Sequence, residues 1–259
     1  MKTQASNLFL TLTILLSPVF LSPGVATELT EIQRRGKMVI AVKDNVRPLG
    51  FRDETGALQG LEIEIARKLA EELLGSAEAV VLQPVRNENR LESVMEGDVD
   101  LAIAHLTATT ARSRLVNFSR YYYLNSTSFV TLNPNLQRLN DLQGQTVAVL
   151  EQSSTIATVR HALPNIQLLG VESYQEALQA LETGEATVFA GDRAVLVGWI
   201  QDYPQYRLLP VRLGLSPLAI ALPKGRQHSE LYLRVNAAIA QWENSGWLQE
   251  RREYWGLNQ

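Results

Sequence analysis

The strongest constraint on the fold is an alternation of short apolar runs and helical patterns that occurs twice along the chain. In the first half, Leu or Ile recurs every four residues from Leu61 to Leu73, between short apolar runs. A similar order runs from Thr146 to Asp192 in the second half. This order predicts an α/β fold in which mostly parallel sheets are flanked by helices. The predicted strands are 38–42, 80–84, 101–104, 126–132, 146–150, 166–171, 187–190 and 217–222, and the predicted helices include 29–35, 61–74, 90–96, 156–163, 174–182 and 194–201.

Polar loops follow the predicted strands in both halves of the chain. In an open α/β sheet, ligands bind outside the carboxyl ends of the strands, where such loops lie. Two α/β lobes that face each other would place both sets of loops across one cleft. Because clefts between domains are preferred sites for small molecules, the sequence predicts a small-molecule site there.

The loop after the strand at 101–104 is rich in hydroxyl groups and ends in an arginine. Thr107, Thr109 and Thr110 precede Arg112. A guanidinium matches a carboxylate with two parallel hydrogen bonds, so we interpret Arg112 as the group that grips a carboxylate. The threonines would line the cradle. A surface arginine that caps the next helix is the alternative.

The second half offers a matching anion site and an acidic group. Ser153, Ser154 and Thr155 stand between a strand and a helix, where backbone N–H groups and the helix dipole favour an anion. An ordinary N-cap cluster is the alternative. Asp192 follows an apolar strand and could bind an ammonium group, with helix capping as the alternative.

Two further cations lie at strand ends of the first half. Lys43 ends the first strand, and Arg90 opens the helix that follows the second. Each could be a solvated surface cation. Together with Arg112 they place three cations at neighbouring strand ends, which would suit a ligand with two carboxylates and one ammonium group facing Asp192.

Evidence for catalysis is weak. The chain contains no GxSxG elbow, phosphate loop or GxGxxG motif. We interpret His105 as a hydrogen-bonding pocket residue, because no nucleophile or orienting acid is evident near it. Glu62 and Glu64 suit a structural role early in a helix. With three scattered His and no Cys, neither a metal site nor a cofactor is expected, and the chain is not expected to be an enzyme.

The amino-terminal stretch has the pattern of a secretory signal peptide. Lys2 precedes an apolar stretch from Leu8 to Leu21, and small residues follow up to Ala26. We expect residues 1–26 to be removed after Ala26; an uncleaved anchor is the alternative. The formal net charge of −3 gives no reason to expect nucleic-acid binding.

Six motifs in a distinctive order cover most of the chain from Leu29 to Leu257. They are VKDNVRP (42–48), GLEIEIA (60–66), GDVD (97–100), TATTAR (107–112), VNFS (116–119) and SST (153–155). On these motifs the chain resembles the bacterial periplasmic solute-binding proteins for polar amino acids, family 3, which are components of ABC importers. It is most similar to the glutamate/aspartate-binding branch.

The resemblance implies a two-lobed type II periplasmic binding protein fold with two crossover hinge strands, near 129–133 and 218–222. Residues 27–130 and 220–259 would form the first lobe and residues 131–219 the second. It also implies a periplasmic protein, expected to be a monomer, that closes around an amino acid and delivers it to an ABC transporter permease in the inner membrane.

The resemblance also implies roles for the candidate residues. Arg112 and Thr107 would bind the α-carboxylate, aided by the backbone at Ser153 and Ser154. Asp192 would bind the α-ammonium. The two cations Lys43 and Arg90 would reach the side-chain carboxylate of glutamate or aspartate, and His105 would contact the ligand.

Three alternatives remain open. One is binding of a neutral polar amino acid. Another is an enzyme on the same fold that resembles the periplasmic cyclohexadienyl dehydratases, although no convincing catalytic acid is evident in the cleft. A sensor module is the third.

Overall fold

The computed structural model of the protein describes residues 28–151 and 153–258. The predicted signal peptide, residues 1–26, lies outside the described residues. Within them, no helix is long and apolar enough to cross a membrane. Their strands form one sheet of nine strands and one of three.

The elements alternate as the sequence predicts. In chain order the first are α1 (Glu28–Arg35), β1 (Met38–Val42), β2 (Asn45–Val46), β3 (Gly50–Arg52), β4 (Leu58–Gln59), α2 (Leu61–Leu74), β5 (Val80–Pro84), α3 (Glu92–Met95), β6 (Leu101–Ile103) and β7 (Asn117–Thr131). They are followed by β8 (Thr146–Leu150), α4 (Thr155–Ala162), β9 (Gln167–Val171), α5 (Tyr174–Thr183), β10 (Val188–Asp192), α6 (Arg193–Asp202), β11 (Arg207–Leu208), β12 (Leu213–Leu222), α7 (Ser229–Asn244) and α8 (Trp247–Tyr254).

The large sheet has a parallel segment at each end. Its strand order is β5-β1-β6-β12-β7-β10-β8-β9, with β11 paired to β7. The β5-β1-β6 segment is parallel, and so is β10-β8-β9. We call the first segment with the small sheet β2-β3-β4 and with α1, α2, α3, α7 and α8 the first lobe, and the second segment with α4, α5 and α6 the second lobe. The predicted mostly parallel sheets flanked by helices are therefore confirmed.

Two long antiparallel strands, β7 and β12, join the lobes. β7 pairs with β12 from Asn117 to Thr127 and with β10 of the second lobe from Thr127 to Val130. β12 reaches β6 of the first lobe through the pair Ala221–Ala102. Because these strands belong to both lobes, any rotation of one lobe against the other must bend them. The lobe boundaries at residues 130 and 219 stay predictions.

Both joining strands are longer than the sequence predicts. β7 begins at Asn117 instead of Ser126, and β12 begins at Leu213 instead of Pro217. The register of their pairing shifts at three places along β12, and such bulges break the alternation of buried and exposed side chains on which strand prediction depends.

Helix α2 shows how the sequence pattern builds the first lobe. Leu61, Ile65 and Leu69 are fully buried in the main core, and each buried side chain of this size contributes about 1.5–3 kcal/mol. Gly75 ends the helix in the left-handed conformation, which glycine adopts without strain. At the other end, a Cβ on Gly60 would lie 2.3 Å from the carbonyl oxygen of Leu49, so only glycine lets the helix start against that loop.

Candidate functional site

The arginine-bearing loop of the first lobe follows β6 and is tied to a joining strand. Ala219 of β12 donates its N–H to the carbonyl of Leu106 at 3.1 Å. Ala108 donates its N–H to the carbonyl of Pro217 at 2.9 Å. These bonds flank a further bridge between Thr107 and Leu218. The loop therefore moves with the strand that joins the lobes.

Arg112 turns back over its own loop. Its Nη1 donates to the carbonyl of Thr107 at 3.0 Å, and its backbone N–H donates to Oγ1 of Thr109 at 3.3 Å. The side-chain bond orients the guanidinium and uses one of its two terminal nitrogens. Because Arg112 is only partly buried, the group remains open to an anion.

His105 is held in an unusual backbone conformation by two charged side chains. Its φ of 52° is the only positive value of a non-glycine residue in the described part of the chain. Its N–H donates to Oε1 of Glu62 at 2.8 Å, and its carbonyl accepts from Nη1 of Arg90 at 2.8 Å. Clamping on both sides of the residue offsets the cost of this conformation.

Glu62 is the buried support of this loop. It is fully buried, and the hydroxyl of Tyr122 donates to its Oε1 at 2.5 Å. Burial raises the pKa of the Glu62 carboxyl, and burial also raises the pKa of the Tyr122 hydroxyl. Glu62 is structural, as predicted, but its carboxylate reaches across to the cleft loop and does not simply complement the dipole of α2.

Lys43 and Arg90 are both engaged by backbone carbonyls. Nζ of Lys43 donates to the carbonyl of Val85 at 2.8 Å, and the residue is only 4% exposed. Nη1 of Arg90 also donates to Ala104 at 3.0 Å. Burial lowers the pKa of both cations, and the neighbouring charge of Arg112 adds to the effect on Arg90. Their predicted contact with a ligand carboxylate stays a prediction.

The anion loop of the second lobe leads into α4. Ser154 is the N-cap residue of α4, but its side chain makes no capping bond. Oγ of Ser153 is buried and has no hydrogen-bond partner among the described residues, and Thr155 is 4% exposed. The Ser154 hydroxyl thus does not cap α4, which was the alternative to an anion site. The hydroxyl of Ser153 can bind another partner.

Asp192 is also free of the capping role. It occupies the N-cap position of α6 without a side-chain capping bond. Instead, Oδ1 of the buried Asn125, on β7, accepts from the N–H of Ala194 at 3.1 Å. Asn125 therefore accepts a backbone N–H group at the start of α6 that a capping side chain would otherwise accept, and the Asp192 carboxylate can face the cleft.

Several close contacts join the two lobes around the cleft. Nε2 of His105 lies 3.2 Å from Oδ2 of Asp192. Nε of Arg47 lies 3.2 Å from Oδ1 of Asp202. Beside that pair, Gly198 of α6 packs so tightly that a Cβ there would lie 2.2 Å from the carbonyl oxygen of Arg47. The structure is therefore in a closed arrangement.

A cavity of about 340 Å³ lies between the lobes, beside the Arg47–Asp202 pair. Its walls include Asn45 from the first lobe and Tyr174 and Trp199 from the second. Arg112 and Asp192 are not among the residues that line it. The described residues contain no group of three or more His, Asp or Glu side chains placed to hold a metal ion.

The structure thus places His105 of the first lobe beside Asp192 of the second, and Arg112 and Thr107 lie on the same loop as His105. It turns Lys43 and Arg90 onto backbone carbonyls. The sequence did not reveal that Glu62 accepts the N–H of His105 in the cleft loop, or that Asn125 caps the start of α6. A usable signal for Glu62 was its position on the buried face of α2, four residues before Ala66 and seven before Leu69.

Comparison with known proteins supports this reading of the fold. Residues 38–258 match the profile of the bacterial extracellular solute-binding proteins, family 3. A crystal structure of the solute receptors for L-cysteine of Neisseria gonorrhoeae is 31% identical in sequence, with a TM-score of 0.71, and the match covers 88% of this chain and 93% of that one. The architecture is that of the two-lobed type II periplasmic binding proteins.

Two similar proteins carry glutamine in their names. The glutamine-binding protein of Geobacillus stearothermophilus is 31% identical over 206 residues, which cover 78% of this chain and 78% of the relative. The ABC transporter glutamine-binding protein GlnH of Bacillus subtilis (strain 168) is 27% identical over 230 residues, which cover 88% of this chain and 84% of the relative.

Proposed function

Because the chain belongs to family 3 of the bacterial extracellular solute-binding proteins, we propose that it binds an amino acid between its lobes and delivers it to an ABC transporter permease. The observation that carries the proposal is the meeting of opposite charges from different lobes. Arg112 lies on the cleft loop of the first lobe, and the uncapped Asp192 of the second lobe approaches that loop at His105.

The proposed binding mode pairs each charge of the ligand. Arg112 and Thr107 take the α-carboxylate, with the loop at Ser153 and Ser154 adding donors from the second lobe. Asp192 takes the α-ammonium. A ligand that contacts both lobes favours the closed state only through contacts that the open state lacks, which is how binding is coupled to closure.

We infer that the preferred side chain is polar and neutral, as in glutamine. Lys43 and Arg90 already donate to carbonyls, and Lys43 is almost completely buried. These bonds hold both cations against the backbone of their own lobe, whereas a neutral polar side chain needs no cation beside it. The names of the two relatives agree with this choice.

Glutamate or aspartate is the second candidate. Arg90 lies close enough to Arg112 for their repulsion to lower the pKa of Arg90. An anionic side chain near this pair would relieve the repulsion. The position of these two cations is the observation that favours an acidic ligand.

The test is thermal stabilisation of the protein against all twenty amino acids, since a ligand that binds only the native state raises its apparent stability. We expect a shift with glutamine that is lost in Arg112→Ala and Asp192→Ala. An unpaired buried charge costs about 3–5 kcal/mol, which corresponds to a loss of roughly 150- to 5,000-fold in affinity. Arg114→Ala, an exposed arginine two residues away, is the matched control.

The outcomes separate the candidates. A shift with glutamate or aspartate that Lys43→Met abolishes would favour the acidic ligand. No shift with any amino acid would refute the carrier proposal, and turnover of a cyclohexadienyl substrate would replace it with the enzyme.

We also propose that residues 1–26 are removed on export, that the mature protein is periplasmic, and that it acts as a monomer. Amino-terminal sequencing of the protein recovered from the periplasm should begin at Thr27. Size-exclusion chromatography with light scattering should give the mass of one chain. A longer amino terminus or a dimer mass would contradict these points.

A further inference from the structure

We propose that the first turn of α6 and the joining strands beside it form a binding site for a small inorganic oxyanion such as phosphate, held by Arg193, Arg212 and Asn125. The proposed amino-acid site uses other side chains, Arg112 and Asp192. The inference therefore does not depend on the proposed function.

The first support is a set of buried donors that have no acceptor. Nε and Nη1 of Arg193 are buried without a hydrogen-bond partner among the described residues, and so is Nδ2 of Asn125. Asn125 is fully buried, and its Oδ1 accepts the N–H of Ala194 at 3.1 Å, so its amide lies against the first turn of α6. A buried donor without an acceptor is unfavourable, most of all when it is charged. Both residues thus offer donors to a ligand at this turn.

The second support is the position of two arginines on either side of β7. Asp192 of β10 and Leu213 of β12 both pair with Thr127 of β7, one from each side. Arg193 follows the first of these residues and Arg212 precedes the second. The sheet therefore places one arginine on each flank of the same joining strand.

The charges of these two arginines act on each other and on a shared neighbour. Burial lowers the pKa of Arg193, and the charge of Arg212 lowers it further. Both charges oppose the rise in pKa that burial gives the Tyr123 hydroxyl. Within the described residues, neither arginine forms an ion pair with an acidic side chain. The pair is therefore a concentration of positive charge at the joint between the lobes.

Two acidic side chains near this cluster are engaged elsewhere. Oδ2 of Asp192 lies 3.2 Å from Nε2 of His105, on the cleft loop of the first lobe. Oε1 of Glu243 lies 3.0 Å from Nη2 of Arg252. An anion from solution would supply the opposite charge, and the partial positive charge at the start of α6 adds to the attraction.

The arrangement favours an oxyanion over a monatomic anion. Arg193 begins α6 of the second lobe, whereas Nη2 of Arg212 donates to the carbonyl of Asn258, which follows α8 of the first lobe. The donors thus approach from several elements. An oxyanion has several oxygens and can accept from two guanidinium groups and an amide together. Bound there, it would link the second lobe to the residues that follow α8.

Isothermal titration calorimetry with sodium phosphate tests the proposal directly, with the ionic strength held constant by sodium chloride. We expect the protein to bind phosphate in the absence of any amino acid. Arg193→Met keeps the apolar stem and removes the charged donors, so the affinity for phosphate should fall roughly 10- to 150-fold. Arg160→Met, at an exposed arginine of the second lobe, is the matched control and should keep the affinity of the parent protein.

Further measurements separate a binding role from a structural one. Asn125→Asp keeps an acceptor for the N–H of Ala194 but replaces the amide donor with a negative charge, so phosphate binding should be lost while α6 stays capped. In chloride without phosphate, Arg193→Met should unfold at the same temperature as the parent protein or at a higher one, because it removes buried charged donors that have no acceptor. Added phosphate should raise the unfolding temperature of the parent protein and not that of Arg193→Met.

Three results would overturn the proposal. The first is no phosphate binding by the parent protein, and the second is an equal phosphate affinity in Arg193→Met. The third is equal stabilisation by chloride and phosphate at matched ionic strength, which would reflect the screening of charge and not an oxyanion site. A parallel titration with L-glutamine reports on the proposed amino-acid site, and its failure would leave the phosphate result unaffected.

Discussion

Gly198 provides a test of whether the closed arrangement is the ligand-binding state. A Cβ at this position would lie 2.2 Å from the carbonyl oxygen of Arg47 in the opposite lobe, whereas ordinary contacts begin at 3.4 Å. Gly198→Ala must therefore hold the lobes about 1 Å further apart here, and overpacking of this kind costs about 1–3 kcal/mol. We expect roughly a 5- to 150-fold loss of ligand affinity by isothermal titration calorimetry.

The same change should have the opposite effect on the ligand-free protein. Gly198 lies inside helix α6, and replacement of a helical glycine by alanine stabilises a helix by up to about 1 kcal/mol once the lobes open to relieve the clash. Gln201→Ala, at an exposed position of the same helix, is the matched control and should leave affinity unchanged. Unchanged affinity in Gly198→Ala would refute the view that this contact persists when ligand is bound.

Two further predictions concern buried polar groups. Asn125→Ala removes the acceptor for the N–H of Ala194 at the start of α6. The free energy of unfolding, measured by urea denaturation, should therefore fall by about 1–3 kcal/mol. An unchanged free energy of unfolding would contradict the capping role of Asn125. Burial raises the pKa of the Glu62 carboxyl above its ordinary value of 4.5. The contribution of Glu62 to the free energy of unfolding is therefore fully present below pH 4.5, and it is lost as the pH rises from there through the pKa of the folded state. The stability of Glu62→Gln relative to the parent protein should therefore increase with pH over that interval, and a difference that is constant with pH would refute this.

The local sequence was sufficient to predict the bounds of a helix or strand where its pattern repeats within a few residues. The predicted bounds of α2, β1, β5 and β8 agree with the structure. In α2 the apolar spacing defines the buried face and Gly75 supplies the stop. The prediction of two lobes also followed from local order, because each repeat of strands and helices must cover its own apolar faces.

The length of the joining strands depended on distant partners. The first part of β7, from Asn117 to Asn125, becomes strand because β12, about a hundred residues later, lies beside it. Bulges in that pairing conceal the alternation in the sequence. No short window of residues contains this information.

In the site, too, the local sequence determined some features and distant partners determined others. Residue types alone indicated a carboxylate-binding arginine and an opposing acid, because a guanidinium matches a carboxylate with two parallel hydrogen bonds. The direction of each charged side chain was decided by the folded neighbours. Lys43 and Arg90 turn to carbonyls, Asn125 releases Asp192 from capping, and Glu62 holds the backbone of His105 within the first lobe. A buried polar group must find a partner, and which partner is within reach is determined only when elements far apart in sequence are packed together.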